Sequence, residues 1–176
     1  MGRYFTLFKR IKAFKVLFVL ALVFMGAAEL SAASFSFGLG GEFFNYQQAY
    51  LAMQGSYMRE ITENVELDLG ATFGIRVEEQ LPGFLLPMHV GFQFLFPNFP
   101  GSVGALGVGV TPVAMWGSSQ LGNRFFAGPY IKFGIRVPVH PFMRWYIEAQ
   151  QNLLIGAPSW INTGTRVNTG IHFFFH

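Results

Sequence analysis

The chain has 176 residues, of which 12% are charged and 18% aromatic, with 22 phenylalanines and no cysteine. The charged share is about half of the roughly 25% usual for a soluble domain, and the length suits one domain. The lack of cysteine excludes disulfides, thiolate metal sites and cysteine catalysis. After residue 33 there is no run of about 20 apolar residues, the length that a membrane-spanning helix needs.

The first 33 residues have the pattern of a secretory signal peptide. Five basic residues between Arg3 and Lys15 precede an apolar run at 16–28, and Ser31-Ala32-Ala33 supplies small residues for cleavage. We predict a cut after Ala33 and a mature domain of residues 34–176; an uncleaved amphipathic anchor is the alternative. The leader holds five of 12 basic and one of nine acidic residues, so seven and eight remain and the net charge changes from +3 to −1. The mature chain therefore has no excess of basic residues to bind nucleic acid.

Period-two alternation of apolar and polar residues predicts eight strands. It is clearest from Val65 to Val77, where every odd position is apolar and the even positions include Glu66 and Asp68. This is long for a globular strand, which usually has about 5–6 residues, and it suits a tilted strand that crosses a membrane. In chain order the alternating segments are 35–43, 51–57, 65–77, 86–96, 106–116, 131–137, 144–153 and 166–175.

Turn-forming residues separate these segments, with the weakest break near residues 45–48. An even number of strands places both termini at one end, which we predict to be periplasmic, and leaves short loops at the other. Pro87, Pro112 and Pro129 fall inside proposed strands toward the loop-bearing end. Because proline cannot donate to a strand ladder, we expect a bulged or frayed rim there.

A sheet in lipid cannot leave its edge strands unpaired, so the alternation predicts an all-β fold, an eight-stranded antiparallel transmembrane β-barrel. The rival interpretation is a soluble lipocalin-like barrel with its apolar face inward. Two features favour the membrane: the polar face is rich in glycine and poor in charge, and Tyr57, Trp116 and Trp145 lie near strand ends, as interfacial aromatic residues do.

The inward face is predicted to hold nine charged residues. Buried charges need partners because desolvation is costly, so we expect an ion-pair network that fills the lumen. A narrow polar pore or binding site is the alternative, since inward glycines leave room; the same glycines can instead accommodate Tyr130, Tyr146 and Phe174. The nine residues are Glu42, Glu66, Asp68, Arg76, Lys132, Arg136, Arg144, Glu148 and Arg166.

The last strand, Gly170 to His176, alternates and is rich in aromatic residues. It resembles the C-terminal signal that the barrel-assembly machinery reads in bacterial outer-membrane proteins. Ile171, Phe173, Phe175 and His176 carry the resemblance, although His176 stands where those signals usually end in Phe or Trp. With the leader and the strand number, the chain resembles small eight-stranded outer-membrane barrels of the OmpA, OmpX and OmpW types.

This resemblance implies a place in the outer membrane of a Gram-negative-type bacterium, as a monomer or small oligomer surrounded by outer-membrane lipid. It also implies that the barrel-assembly machinery and periplasmic chaperones are partners during biogenesis. We expect a structural or surface-interaction role in the cell envelope. A narrow channel or an uptake barrel for small hydrophobic molecules, as in the OmpW group, is the alternative.

A lipid A-modifying enzyme is a third, less favoured interpretation. Acyl transfer needs a nucleophilic serine beside a histidine and an orienting acid, and the loop serines lack a nearby histidine in the predicted topology. His89 and His172 are predicted to point inward from strands four and eight, on opposite sides of the ring. We therefore expect no catalytic site, no metal site and no cofactor.

Overall fold

The computed structural model describes residues 33–77, 83–99, 101–117, 123–157 and 159–175. Its strands are β1 (Ala33–Phe44), β2 (Gln48–Thr62), β3 (Val65–Arg76), β4 (Phe84–Phe99), β5 (Ser102–Trp116), β6 (Arg124–His140), β7 (Met143–Ile155) and β8 (Ile161–Phe175). Each pairs antiparallel with its neighbours in sequence order, and β8 pairs with β1, so the barrel is closed. The predicted all-β, eight-stranded antiparallel barrel is confirmed. Within the described ranges, no helix is long and apolar enough to cross a membrane.

The strands are staggered as they wind around the barrel. A path that starts at Ala33 and passes to the paired residue on each successive strand returns to β1 at Phe43. The barrel therefore has a shear number of 10, the difference between positions 43 and 33. A barrel of eight tilted strands has an interior that side chains can fill. The inward-facing side chains of all eight strands can therefore meet one another inside the barrel.

The barrel has two ends that differ in their connections. Ala33 and Phe175 lie at one, the terminal end, with the β2–β3, β4–β5 and β6–β7 turns. The other, the distal end, carries the remaining connections. There Asn45 and Tyr46 adopt positive φ values of 51° and 55°, a conformation in which asparagine is enriched. Asn45 joins this turn to β8, because its backbone N–H donates to Thr163 O at 2.7 Å and its Oδ1 accepts from Thr163 N at 2.8 Å.

Alternation separates a polar lumen from an apolar outer surface, as predicted. On the inward face, Gln54 is 4% exposed and Asp68 is 0% exposed. On the outward face, Phe37 is 63% exposed and Leu51 61%. A strand with side chains on alternating faces presents one set to each environment.

The prolines lie in the distal half of their strands, as predicted, and of the bulged or frayed rim expected there the structure has an interrupted ladder without a bulge. At each proline the ladder on one side skips two residue pairs and resumes in the same register: on the β3 side of Pro87, the β4 side of Pro112 and the β7 side of Pro129. The missing donor is thus absorbed by a local gap in the ladder. The register shifts lie instead at the terminal end, at residues 60–62, 96–99 and 138–140.

Candidate functional site

Asp68 on β3 is the centre of a polar network in the middle of the lumen. It accepts hydrogen bonds from Lys132 Nζ on β6 and from Gln93 Nε2 on β4, the latter at 2.8 Å. His89 Nε2 lies 3.3 Å from its other oxygen, and Lys132 Nζ also lies 3.5 Å from Glu148 Oε2 on β7. A lysine between two carboxylates compensates charges that would be costly to bury alone.

Gln54 on β2 extends this network toward β8. Its Nε2 donates to Glu148 Oε1 at 2.7 Å and to Ser56 Oγ at 3.2 Å. Its Oε1 accepts from Thr72 Oγ1 at 3.5 Å and from Asn168 Nδ2. One amide therefore links four strands, because it can donate and accept at once.

Arg166 on β8 occupies the distal half of the network and is 0% exposed. It donates to Thr72 Oγ1 and, at 2.6 Å, to Gln150 Oε1. Its Nη1 lies 4.0 Å from Glu42 Oε2. Gln150 in turn donates to Asn152 Oδ1 at 2.7 Å. Arg166 therefore relies on neutral acceptors as well as on its distant carboxylate.

Arg136 on β6 anchors the terminal half. It donates to Glu66 Oε2 at 2.8 Å and to Gln93 Oε1, and its Nη2 lies 3.3 Å from Met58 Sδ. Because Gln93 also bonds Asp68, this ion pair and the central one form a continuous network.

The structure brings seven of the nine predicted lumen charges into these contacts and places the other two elsewhere. The guanidinium of Arg144 lies 4.2 Å above the ring of Phe174 at the terminal end, a cation–π contact. Arg76 is half-buried at the distal end of β3, where its backbone N–H donates to Gly83 O at 2.8 Å. In the predicted assembly signal, Ile171 and Phe173 lie on β8, and His176 is outside the described residues.

Among the described residues, the lumen contains small cavities between the polar side chains. Two cavities of about 10 Å³ each lie in its middle and terminal part, and each has room for about one water molecule. They share the lining residues Gln93, Lys132, Arg136, Tyr146 and Glu148.

A cluster of buried apolar side chains lies at the distal end of the lumen, and the sequence interpretation missed it. Seven apolar residues pack there, and we call them the distal cluster. The rings of two members, Phe44 and Phe126, lie 5.1 Å apart. A signal for it exists in the sequence, since successive apolar residues such as Phe43-Phe44 and Phe125-Phe126 break the alternation at distal strand ends. Its members are Phe44, Tyr50, Leu85, Val113, Met115, Phe126 and Leu154.

Inward glycines make room for the two tyrosines, one of the two uses predicted for them. A Cβ on Gly38 would collide with the Tyr146 hydroxyl, and one on Gly91 would collide with the Tyr130 hydroxyl. Gly109 Cβ would lie 2.8 Å from the Tyr130 ring. The tyrosines therefore lie across strand surfaces that carry no side chain, as close packing requires.

His172 meets a serine that the sequence did not suggest. Its Nε2 lies 2.7 Å from Ser34 Oγ, and both residues are buried. Over the described part of the chain, no hydrogen bond joins His172 to a carboxylate, and no three acidic or histidine side chains are grouped to hold a metal. A serine–histidine pair without an orienting acid is an incomplete triad.

Neither a protein-family model nor a curated protein sequence matches the chain. Among solved structures, it is similar to neisserial surface protein A, NspA, with a TM-score of 0.70 and 10% identity over 82% of this chain and 98% of that one. The outer-membrane protein OprG of Pseudomonas aeruginosa gives 0.55 and 10%, over 85% and 98% of the two chains. The N-terminal β-barrel domain of Pseudomonas aeruginosa OprF gives 0.52 and 16%, over 81% and 97%. The chain therefore has the fold of the small bacterial outer-membrane β-barrels.

Proposed function

We propose that the chain is an integral outer-membrane β-barrel with a side-chain-filled lumen and a structural or surface-interaction role in the cell envelope. In this proposal the terminal end faces the periplasm and the distal end the outside. The observation that carries it is the combination of an apolar outer surface with polar lumen residues that bond to one another across the barrel. Such a wall suits lipid outside and leaves no open edge.

The outer surface supports the membrane part of the proposal. A monomer in water rarely exposes an apolar patch larger than a few hundred Å², whereas here apolar side chains surround the barrel. At the distal end Trp116 stacks on Phe84, with ring centroids 5.8 Å apart; at the terminal end Phe35 and Tyr57 are 5.2 Å apart. Aromatic residues at both ends are typical of the two membrane interfaces. Exposed members between them include Leu39, Met53, Phe92, Val108, Ile131 and Phe133.

Biogenesis is part of the same proposal. Residues 1–33 would direct export and be removed, and the alternating β8 would present the assembly signal to the barrel-assembly machinery after delivery by periplasmic chaperones. A non-enzymatic role fits the incomplete serine–histidine pair.

Planar-bilayer recording tests the filled lumen against the channel alternative. Because the lumen cavities hold about one water each, we expect no steady single-channel current from the purified, refolded barrel. A reproducible steady conductance would reject the filled lumen and favour the narrow channel. Lipid A mass spectra from cells with and without the protein test the enzyme alternative, and we expect identical spectra.

A further inference from the structure

We infer that the distal cluster is a dry seal that closes the lumen from the distal side. The inference rests on the proposed membrane-spanning function, because only in a membrane do the two ends face different compartments. In this inference apolar side chains, and not the ion pairs of the lumen, form the barrier to water and ions from the distal side.

The seal extends around the lumen wall. Six of the eight strands contribute to it, with β5 supplying two residues, and its members are 0–3% exposed. On β3 the gap is closed by backbone, since a Cβ on Gly74 would lie 3.3 Å from Tyr50 Cβ and 3.4 Å from Leu85 Cβ. On β8 the side chain is Asn162, 3% exposed, which accepts from Asn45 Nδ2 at 2.9 Å. Each strand therefore contributes a packed or bonded group to the closure.

A buried charged pair borders the seal. Glu42, the cross-strand partner of Tyr50, and Arg166, the partner of Glu42 on β8, are 1% and 0% exposed although they are charged. The two small cavities lie farther toward the terminal end, where Ser36, Met58 and His172 help to line one of them. Apolar constrictions exclude water and ions by dewetting, so the cluster keeps distal solvent from the Glu42–Arg166 pair.

The chain has no cysteine, so a single introduced thiol reports access to one point of the lumen. Ala52→Cys places it next to the seal, at an inward position that is 0% exposed in the native barrel. Ser36→Cys places it beside the terminal cavity. A membrane-impermeant methanethiosulfonate reagent is added to one side of vesicles whose barrel orientation has been established by protease cleavage of the distal turns.

From the distal side we expect Ala52→Cys to be almost unreactive. Adding Phe44→Ala and Phe126→Ala should raise its labelling rate from the distal side by about tenfold or more. The two substitutions remove rings from the apolar constriction, which then no longer limits access of the reagent. The matched control is Phe43→Ala with Phe125→Ala, which removes two neighbouring rings that are outward and exposed; it should leave the rate unchanged. Ser36→Cys should be labelled faster from the terminal side than from the distal side.

The seal would be overturned if Ala52→Cys were labelled at the same rate from the distal side in the native barrel, in the inward double alanine variant and in the outward control. It would also be overturned if Ser36→Cys were labelled faster from the distal side than from the terminal side. If the double alanine variant does not fold, Leu154→Ala with Leu153→Ala as its control gives the same comparison at one position. Heat-dependent gel mobility and flotation with lipid are measured on the same samples. A barrel that floats with lipid but labels wrongly refutes the seal alone, whereas one that never enters lipid refutes the proposed function.

Discussion

At the scale of single residues, the interior depends on matched charges. Asp68 is fully buried, and Lys132 is the cation that contacts it. Lys132→Met should destabilise the barrel by about 3 kcal/mol, because removing one partner leaves an uncompensated buried charge. Reversible urea unfolding in lipid vesicles or detergent measures the loss.

Neutralising Asp68 as well should rescue part of the stability lost in Lys132→Met. Lys132→Met with Asp68→Asn should recover part of the lost stability, since the neutral amide needs no counter-charge. Glu60→Gln, at an exposed position near the end of β2, is the matched control and should change little. A Lys132→Met barrel as stable as the native one would contradict the role given to this ion pair.

A glycine–tyrosine contact gives a second test. Gly38→Ala should cost about 1–3 kcal/mol through overpacking against the Tyr146 hydroxyl. Adding Tyr146→Phe should restore part of that, because it removes the colliding oxygen while the close contacts with Tyr146 Cζ and the backbone oxygen of Thr169 stay. Gly170→Ala is the contrast: its new Cβ would meet the backbone carbonyl of Phe37, so Tyr146→Phe should not rescue it. The readout is a double-mutant cycle of unfolding free energies.

Sequence alternation predicts which residues face the lumen, but not which of them bond. Lys132 and Asp68 lie on β6 and β3, which share no ladder, so their contact depends on how tilted strands close around the lumen. The distal cluster was missed because its members occupy positions that the alternation reserves for polar groups. Doubled apolar residues at strand ends are the physical sign that a lumen is capped by packing.

At the scale of elements, each strand has one lipid-facing and one lumen-facing side. On β6, Ile131 lies near the middle of the wall and Val139 near the terminal end, and both are exposed outward. Ile131→Arg should cost about 2–4 kcal/mol and Val139→Arg about 0–1 kcal/mol, because the penalty of a lipid-facing cation falls from the bilayer centre to its interface. Unfolding from vesicles measures both, and equal costs would contradict the assigned depth.

The existence and order of the strands follow from alternation, whereas their ends do not. The alternating part of β6 begins at Ile131, yet the strand begins at Arg124, because Pro129 and the apolar Phe125-Phe126 pair obscure the period. The proline positions suggested a bulged or frayed rim, and the structure has gaps without bulges, because each proline loses ladder bonds on one side only. The register is preserved because the opposite ladder continues through the same residues.

At the scale of the whole molecule, the protein consists of an apolar outer wall, a bonded polar interior and an apolar distal cluster. Closure of the β1–β8 seam removes the free edges that a sheet in lipid cannot leave open. The interior then needs no water to satisfy most of its charged groups. A barrel built in this way is suited to stable residence in a membrane and to presenting its distal turns.

The orientation of the two faces is the central claim, and folding of residues 34–176 with lipid vesicles, without detergent, tests it most directly. We predict that the chain floats with the vesicles, resists extraction by alkaline carbonate and shows a heat-dependent shift in gel mobility. A folded, monodisperse monomer that stays in the aqueous fraction would contradict it, because the exposed apolar surface would then have to face water.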